Sequence, residues 1–278
     1  MIKLSKIKGM YEINIDVKDF AILLVEPSST QRKIITNRLM LSLVKRIDVV
    51  ASVEEALLYL EEGPAIPDLV ICSMYFDNMS GTDLVKKMKS DPRLETVPFM
   101  LLSSETDEEK LLEFRQAGVI AILPKPFTAE ELQHALEVVH DSLAIQELDL
   151  EIFEVDRVKF LIVDDSSTSR LYIKHFLYNM GFNHIQEATD PNHAIGILEE
   201  EEFDIIIVDQ EMPNQTGIEF VKQLKTRAKY FTVPMIMVTS SNLDTLDNPL
   251  EAGLAKVFQK PLEPKAFREH LKNLLEEP

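Results

Sequence analysis

The chain repeats itself, and that repeat constrains its fold more than any other feature. FAILLVEPSSTQR (Phe20 to Arg32) returns as FLIVDDSSTSR (Phe160 to Arg170), and DLVICSMYFDNMSG (Asp68 to Gly81) returns as DIIIVDQEMPNQTG (Asp204 to Gly217). VPFMLLSS (Val97 to Ser104) returns as VPMIMVTS (Val233 to Ser240), and PKPF around Lys125 returns as QKPL around Lys260. The offset narrows from 138 residues between Val25 and Val163 to 136 between Ser73 and Asp209 and 135 between Lys125 and Lys260. So small a drift over a whole domain means duplication with two small length changes. At about 150 residues per domain, a 278-residue chain has room for two copies, each with its own core.

Each copy alternates apolar runs with helical patterns. In the second, Phe160–Val163, Ile205–Val208 and Val233–Val238 are continuous apolar runs, as expected of strands buried on both faces of a parallel sheet. Weaker strands are expected near Ile185–Ala188 and Ala255–Phe258. Leu171, Lys174, His175 and Tyr178 recur at helical spacing behind Ser166, Ser167 and Thr168, which are good N-cap residues. The order is β-α five times over, a doubly wound α/β fold in each half, whose ligands bind at the carboxyl ends of the strands. The domains are expected at 20–143 and 158–278, after an extension at 1–19 and around a connector at 144–157. Tyr11, Ile13, Ile15 and Val17 alternate in that extension, as an edge strand would. The stripe Leu132, Leu136, Val139 and Leu143 runs into QELDLEIFEVDR without Gly or Pro, so a semi-rigid, partly helical connector is expected.

These strands carry specific residues to the carboxyl edge of the second copy. Asp164 and Asp165 follow the first strand, Asp209 ends the third, Thr239 ends the fourth, and the fifth runs into Lys260-Pro261. Three carboxylates converging there cannot all stay ionised without a cation, and a hard divalent ion with oxygen ligands, Mg²⁺, is the economical one. A hydroxyl and an ammonium facing the same spot add donors for a phosphoryl group. Together they describe a carboxylate that becomes an acyl phosphate.

In this order and spacing, Asp164-Asp165, Asp209, Thr239 and Lys260-Pro261 resemble the receiver domain of bacterial two-component response regulators. The resemblance spans about Phe20–Leu143 and Val158–Leu275, and implies two flavodoxin-like (βα)5 domains in tandem. It implies phosphoryl transfer to Asp209 from the phosphohistidine of a histidine kinase or phosphotransfer protein. Asp165 and Asp209 would then hold Mg²⁺ directly, Asp164 through water, and the Glu211 backbone carbonyl would be a further ligand. Lys260 would pair with the acidic cluster or the phosphoryl oxygens, Thr239 would swing toward the phosphoryl group, and Lys260-Pro261 would be a cis peptide.

The same positions in the first copy hold Glu26, Pro27 and Ser73. Proline offers no side-chain oxygen to a metal, and serine cannot form an acyl phosphate, so this copy reads as a degenerate pseudo-receiver with a binding role. Ser103 and Lys125-Pro126 persist, and Cys72 lies in an apolar strand and reads as core. The second copy departs from the family pattern too. Val257 stands where receivers carry an aromatic, with Phe258 one place later (Ile122 in the first copy), and Pro249 should shorten or break the fourth helix.

Lys and Arg number 29 against 47 Asp and Glu, a formal net charge of −18, which argues against gripping nucleic acid or anionic membrane. A single cysteine excludes a disulfide framework and fits a reducing, cytoplasmic setting. The opening MIKLSKIKGMYEINIDVKDF lacks the apolar stretch of a secretory leader, and no run approaches the ~20 apolar residues of a bilayer span. The expected function is a response regulator, phosphorylated on Asp209, that signals through contacts with a downstream protein or a second copy of itself. The alternatives are the regulatory portion of a larger effector, such as a tandem-receiver diguanylate cyclase, and an adaptor that is never phosphorylated. An aspartate-nucleophile phosphatase is disfavoured, because such enzymes place nucleophile and acid two apart on the first strand.

Overall fold

The computed structural model describes residues 17–148, 150, 154–243, 246 and 252–276. In the first domain the elements run β1 (Ala21–Val25), α1 (Ser29–Leu41), β2 (Arg46–Val50), α2 (Val53–Glu62), β3 (Leu69–Ser73), α3 (Gly81–Ser90), β4 (Phe99–Ser103), α4 (Glu108–Gln116), β5 (Ala121–Pro124) and α5 (Ala129–Leu143). In the second they run β6 (Lys159–Val163), α6 (Ser167–Asn179), β7 (His184–Ala188), α7 (Pro191–Glu200), β8 (Ile205–Asp209), α8 (Gly217–Lys225), β9 (Met235–Thr239), β10 (Lys256–Gln259) and α9 (Pro264–Glu276). The helix expected between β9 and β10, with Pro249, falls outside the described residues.

Both sheets are five-stranded and parallel, ordered β2-β1-β3-β4-β5 and β7-β6-β8-β9-β10. This is the doubly wound flavodoxin-like order, with its reversal between the first and third strands of each domain. The central strands β3, β4, β8 and β9 are buried throughout, which is why they read as unbroken apolar runs. Each sheet has an apolar layer on both faces, one centred on Leu24, Leu39 and Leu136 and the other on Val70, Val85 and Phe99 in the first domain. The second domain repeats this with Ile162, Phe176 and Phe267 on one face and Val208, Val221 and Met237 on the other.

The duplication survives in side-chain devices. Asp68 and Asp204 accept the backbone N–H of Ala21 and Lys159 at 2.7 and 2.8 Å, tying each first strand to the turn before the third. Lys89 donates to the carbonyls of Glu95 and Val97, and Lys225 donates to those of Phe231 and Val233.

Two expectations at the domain edges meet different fates. Tyr11, Ile13 and Ile15 lie outside the described residues, while Val17 sits in a short 3-10 turn (Val17–Asp19) against the first core. The connector is less helical than its composition suggests. Helix α5 ends at Leu143, and the only helical turn among the described residues up to Val158 is a 3-10 turn at Val155–Arg157. Gln146 and Leu148 donate their backbone N–H to the carbonyls of Asn179 and Met180 at the end of α6. Leu148 is buried in the second core, so tertiary docking overrides helix propensity here.

Candidate functional site

In each domain the first strand, the third, the fourth and the turn after the fifth bring side chains to one edge. In the second domain these are Asp164, Asp165, Asp209, Thr239 and Lys260, the set expected from the sequence. Two glycines let the chain reach that edge. At Gly217, which opens α8, a Cβ would lie 2.3 Å from the Asp209 carbonyl oxygen, and at Gly81 one would lie 2.5 Å from that of Ser73. Both Lys260-Pro261 and Lys125-Pro126 are cis.

Lys260 is the counter-charge of the second site. Its Nζ donates to Asp164 Oδ2 at 2.8 Å and Asp209 Oδ1 at 2.6 Å, and all three groups are buried. Asp164 also accepts the Ser166 N–H at 2.8 Å and the Ser169 hydroxyl, while Asp209 Oδ2 accepts the Glu211 N–H at 2.7 Å. Burial pushes the Asp209 carboxyl up to about 7, with Lys260 pulling it down and Asp164 and Glu211 pushing it further. Partial burial and the neighbouring Asp164 carboxylate also raise the more exposed Asp165. Burial opposes the charge on Lys260, but its two carboxylate partners outweigh it and hold the ammonium protonated.

Asp164, Asp165 and Asp209 each offer an oxygen within 4.8 Å of the other two. Three carboxylates against one ammonium leave two negative charges formally uncompensated, and an all-oxygen donor set suits a hard divalent cation. The acidic cluster therefore fits such an ion.

Glu211 turns its side chain to the donors after β9. Its carboxylate accepts the Thr239 hydroxyl at 2.6 Å, the Ser240 N–H at 3.0 Å and the Ser241 N–H at 3.2 Å. Thr239 and Ser240 are fully buried. In the sequence Glu211 stands two residues beyond the acceptor, where its charge would lie near the path of a water attacking the phosphoryl group; where its side chain points depends on turn geometry that spacing does not encode. Ser169 and Arg170 also reach the site. Arg170 donates to the carbonyls of Asp164 and Asp165, as Arg32 does to those of Glu26 and Pro27. The repeat carries the signal for it, because both segments end in that arginine.

The first site is closed on itself. Lys125 Nζ donates to Glu26 Oε2 at 2.6 Å and Ser73 Oγ at 2.8 Å, and the Ser73 hydroxyl donates to Glu26. One carboxylate meets one ammonium, and Pro27 adds nothing. Burial raises the Glu26 carboxyl, but hydrogen bonds from Lys125, Ser73 and Ser28 outweigh it and hold it below the usual carboxylate range. Cys72 is core, as expected; burial drives its thiol far up, out of the reactive range. Ser103, the counterpart of Thr239, bonds to Met74 Sδ and accepts the Glu105 N–H.

Phe258 does not face the site. It is buried on the face of the sheet covered by α6 and α9, 5.0 Å from the Phe267 ring, while Val257 packs on the α7–α8 face. The first domain does reach the second site's rim. Arg115, in the last turn of α4, donates to the Ser240 carbonyl at 3.2 Å, and Ser166 Oγ donates to the Gln116 carbonyl at 3.3 Å.

Among the described residues no helix is long and apolar enough to cross a membrane. The chain is 32% identical over 120 residues to chemotaxis protein CheY-3 of Vibrio cholerae, covering 43% of this chain and 92% of that one. It is 35% identical over 120 residues to a CheY homolog of Campylobacter jejuni, covering 42% and 92%. A solved structure titled a putative two-component system response regulator/GGDEF domain protein aligns over 92% of this chain and 99% of that one, at 23% identity and a TM-score of 0.39. The model of the response regulator receiver domain matches twice, at residues 22–137 and 160–272. With two such matches across two parallel five-stranded sheets, the chain belongs to the response regulator receiver family and carries two receiver domains in tandem.

Proposed function

We propose that the protein is a two-component response regulator whose second domain accepts a phosphoryl group on Asp209 while its first domain serves as a binding module. The observation that carries this is the charge difference between the two edges. Asp164, Asp165 and Asp209 exceed the single Lys260, whereas Glu26 and Lys125 cancel in the first domain. Asp209, Asp165, Asp164 and the Glu211 backbone carbonyl would hold Mg²⁺, which when bound neutralises phosphoryl oxygens and lets the carboxylates ionise together.

A carboxylate oxygen of Asp209 attacks phosphorus, the phosphorus–nitrogen bond of the donor phosphohistidine breaks, and the departing imidazole takes a proton from solvent. Lys260, already 2.6 Å from Asp209, opposes protonation of the nucleophile and then meets the charge on the new acyl phosphate. Thr239 offers its hydroxyl to that group. The donor is a histidine kinase or phosphotransfer protein, the output runs through protein contacts, and the setting is cytoplasmic.

Mass spectrometry after incubation with Mg²⁺ and phosphoramidate tests this. Wild type should gain one phosphoryl group per chain and Asp209→Asn none. A phosphoryl group on Ser73, or uptake unaffected by Asp209→Asn, would overturn the assignment. No gain in wild type would leave an adaptor that is never phosphorylated.

A further inference from the structure

Three donors stand together at the carboxyl end of β9: the Thr239 hydroxyl and the N–H groups of Ser240 and Ser241. Convergent hydroxyl and successive amide donors of this kind form an anion cradle. The cradle already holds an anion, the Glu211 carboxylate, on contacts of 2.6 to 3.2 Å. Glu211 lies two residues beyond Asp209, on the loop leaving the neighbouring strand, and its own N–H bonds Asp209 Oδ2.

We propose that Glu211 is a built-in competitor for the Thr239–Ser241 donors, so that a phosphoryl group on Asp209 must displace its carboxylate to engage them. This rests on Asp209 being the phosphoacceptor. A phosphoryl group adds about 1.5 to 2 negative charges by analogy with phosphoserine, and three oxygens that each need a donor. Lys260 supplies one of these, already shared between Asp164 and Asp209. Further donors on that edge lie on the β9 loop, and Glu211 holds them. Two anions cannot occupy one set of donors, so gaining the phosphoryl group releases Glu211. The resting loop is ordered by its own carboxylate, and phosphorylation exchanges one anion for another.

The matching loops of the first domain show what a plain structural bridge looks like. There Tyr75 donates its hydroxyl to Glu105 at 2.6 Å, joining the counterparts of Glu211 and Ser241. If Glu211 were only such a bridge, removing it would loosen the loop and weaken ligand uptake. A competitor predicts the opposite sign.

Beryllofluoride with Mg²⁺, a phosphoryl analogue, separates these readings. The full chain would be compared as wild type, Glu211→Gln, Glu211→Ala and Asp209→Asn, with binding measured by titration and amide exchange followed at Ser240 and Ser241. Affinity should rise from wild type through Gln to Ala, by about 5- to 150-fold for Ala, the usual range of coupling between two sites. The Ser241 N–H also donates to Thr239 Oγ1 at 3.0 Å, so in the resting Ala variant it is the Ser240 amide that should lose protection and regain it with beryllofluoride. Affinity in Ala and Gln equal to or below wild type, or a Ser240 amide equally protected in wild type and Ala, would overturn the proposal. If wild type binds no better than Asp209→Asn, the phosphoacceptor reading itself has failed, and the resting amide exchange still decides whether Glu211 holds the loop.

Discussion

Lys125 and Lys260 occupy the same place in the two domains and face different charge. Lys260 meets two buried carboxylates at 2.8 and 2.6 Å, with Asp165 beside them; Lys125 meets Glu26 alone. Removing one partner of a buried pair costs about 3–5 kcal/mol, because the remaining charge stays in low dielectric. Lys260→Met and Lys125→Met should therefore both lower the urea midpoint of their domain. Only the Lys260→Met loss should be recovered by millimolar Mg²⁺, since only the second edge keeps three carboxylates to hold the ion. Recovery in both variants, or in neither, would contradict the charge difference between the sites. At this scale the strand-end residues are legible in the sequence, because apolar runs broken by Asp, Thr and Lys fix which side chains reach the edge. Ser169 and the direction of the Glu211 carboxylate are not, since the way the chain folds back after β6 and β8 sets their partners.

Helix α6 shows where periodicity stops. Leu171, Lys174, His175 and Tyr178 sit at helical spacing, yet the face buried on the second sheet is Ile173, Phe176 and Leu177. Leu171, Tyr172 and His175 instead line a cavity of about 210 Å³, whose far wall includes Lys89, Glu95 and Ile120 of the first domain. The helix has two apolar sides, and spacing alone cannot say which neighbour each one meets. Glycines on neighbouring helices give an element-level test. Gly196 lies exposed inside α7 with nothing within 4 Å of a Cβ, so Gly196→Ala should stabilise by about 0.5–1 kcal/mol through helix propensity. Gly217→Ala should instead push the Asp209 carbonyl away from the start of α8, since its Cβ would fall 2.3 Å from that oxygen. Thermal unfolding and phosphoramidate uptake should separate them, with Gly196→Ala more stable and fully reactive and Gly217→Ala deficient in uptake. Equal reactivity in the two would show that close approach at Gly217 does not position the acceptor.

Across the whole molecule, the first domain touches the second both at the far end of α6 and at the rim of the acidic edge. Asn179 donates to the Ser142 carbonyl, Lys265 pairs with Asp141 at 3.2 Å, and the start of the connector lies along the end of α6. Gly118, at φ +78°, lets the first domain come so close that a Cβ there would lie 2.6 Å from Thr168 Cγ2. The telling contact is Arg115 on the Ser240 carbonyl, because the Ser240 N–H is one of the Glu211 donors. One peptide segment is thus held by the site on one side and by the first domain on the other. If the Thr239–Ser241 loop adjusts when Asp209 gains its phosphoryl group, the Arg115 bond must adjust with it. On the proposed function, that would let the first domain register the state of its neighbour through a shared loop, as a population shift across a two-state contact. Phosphodonor should then change amide protection in 111–118 of wild type. In Arg115→Ala that change should vanish while phosphorylation of Asp209 persists, and Arg115→Lys should restore part of it. An undiminished response in Arg115→Ala would place the coupling elsewhere on the interface, and no response in phosphorylated wild type would mean that the two domains do not communicate through this contact.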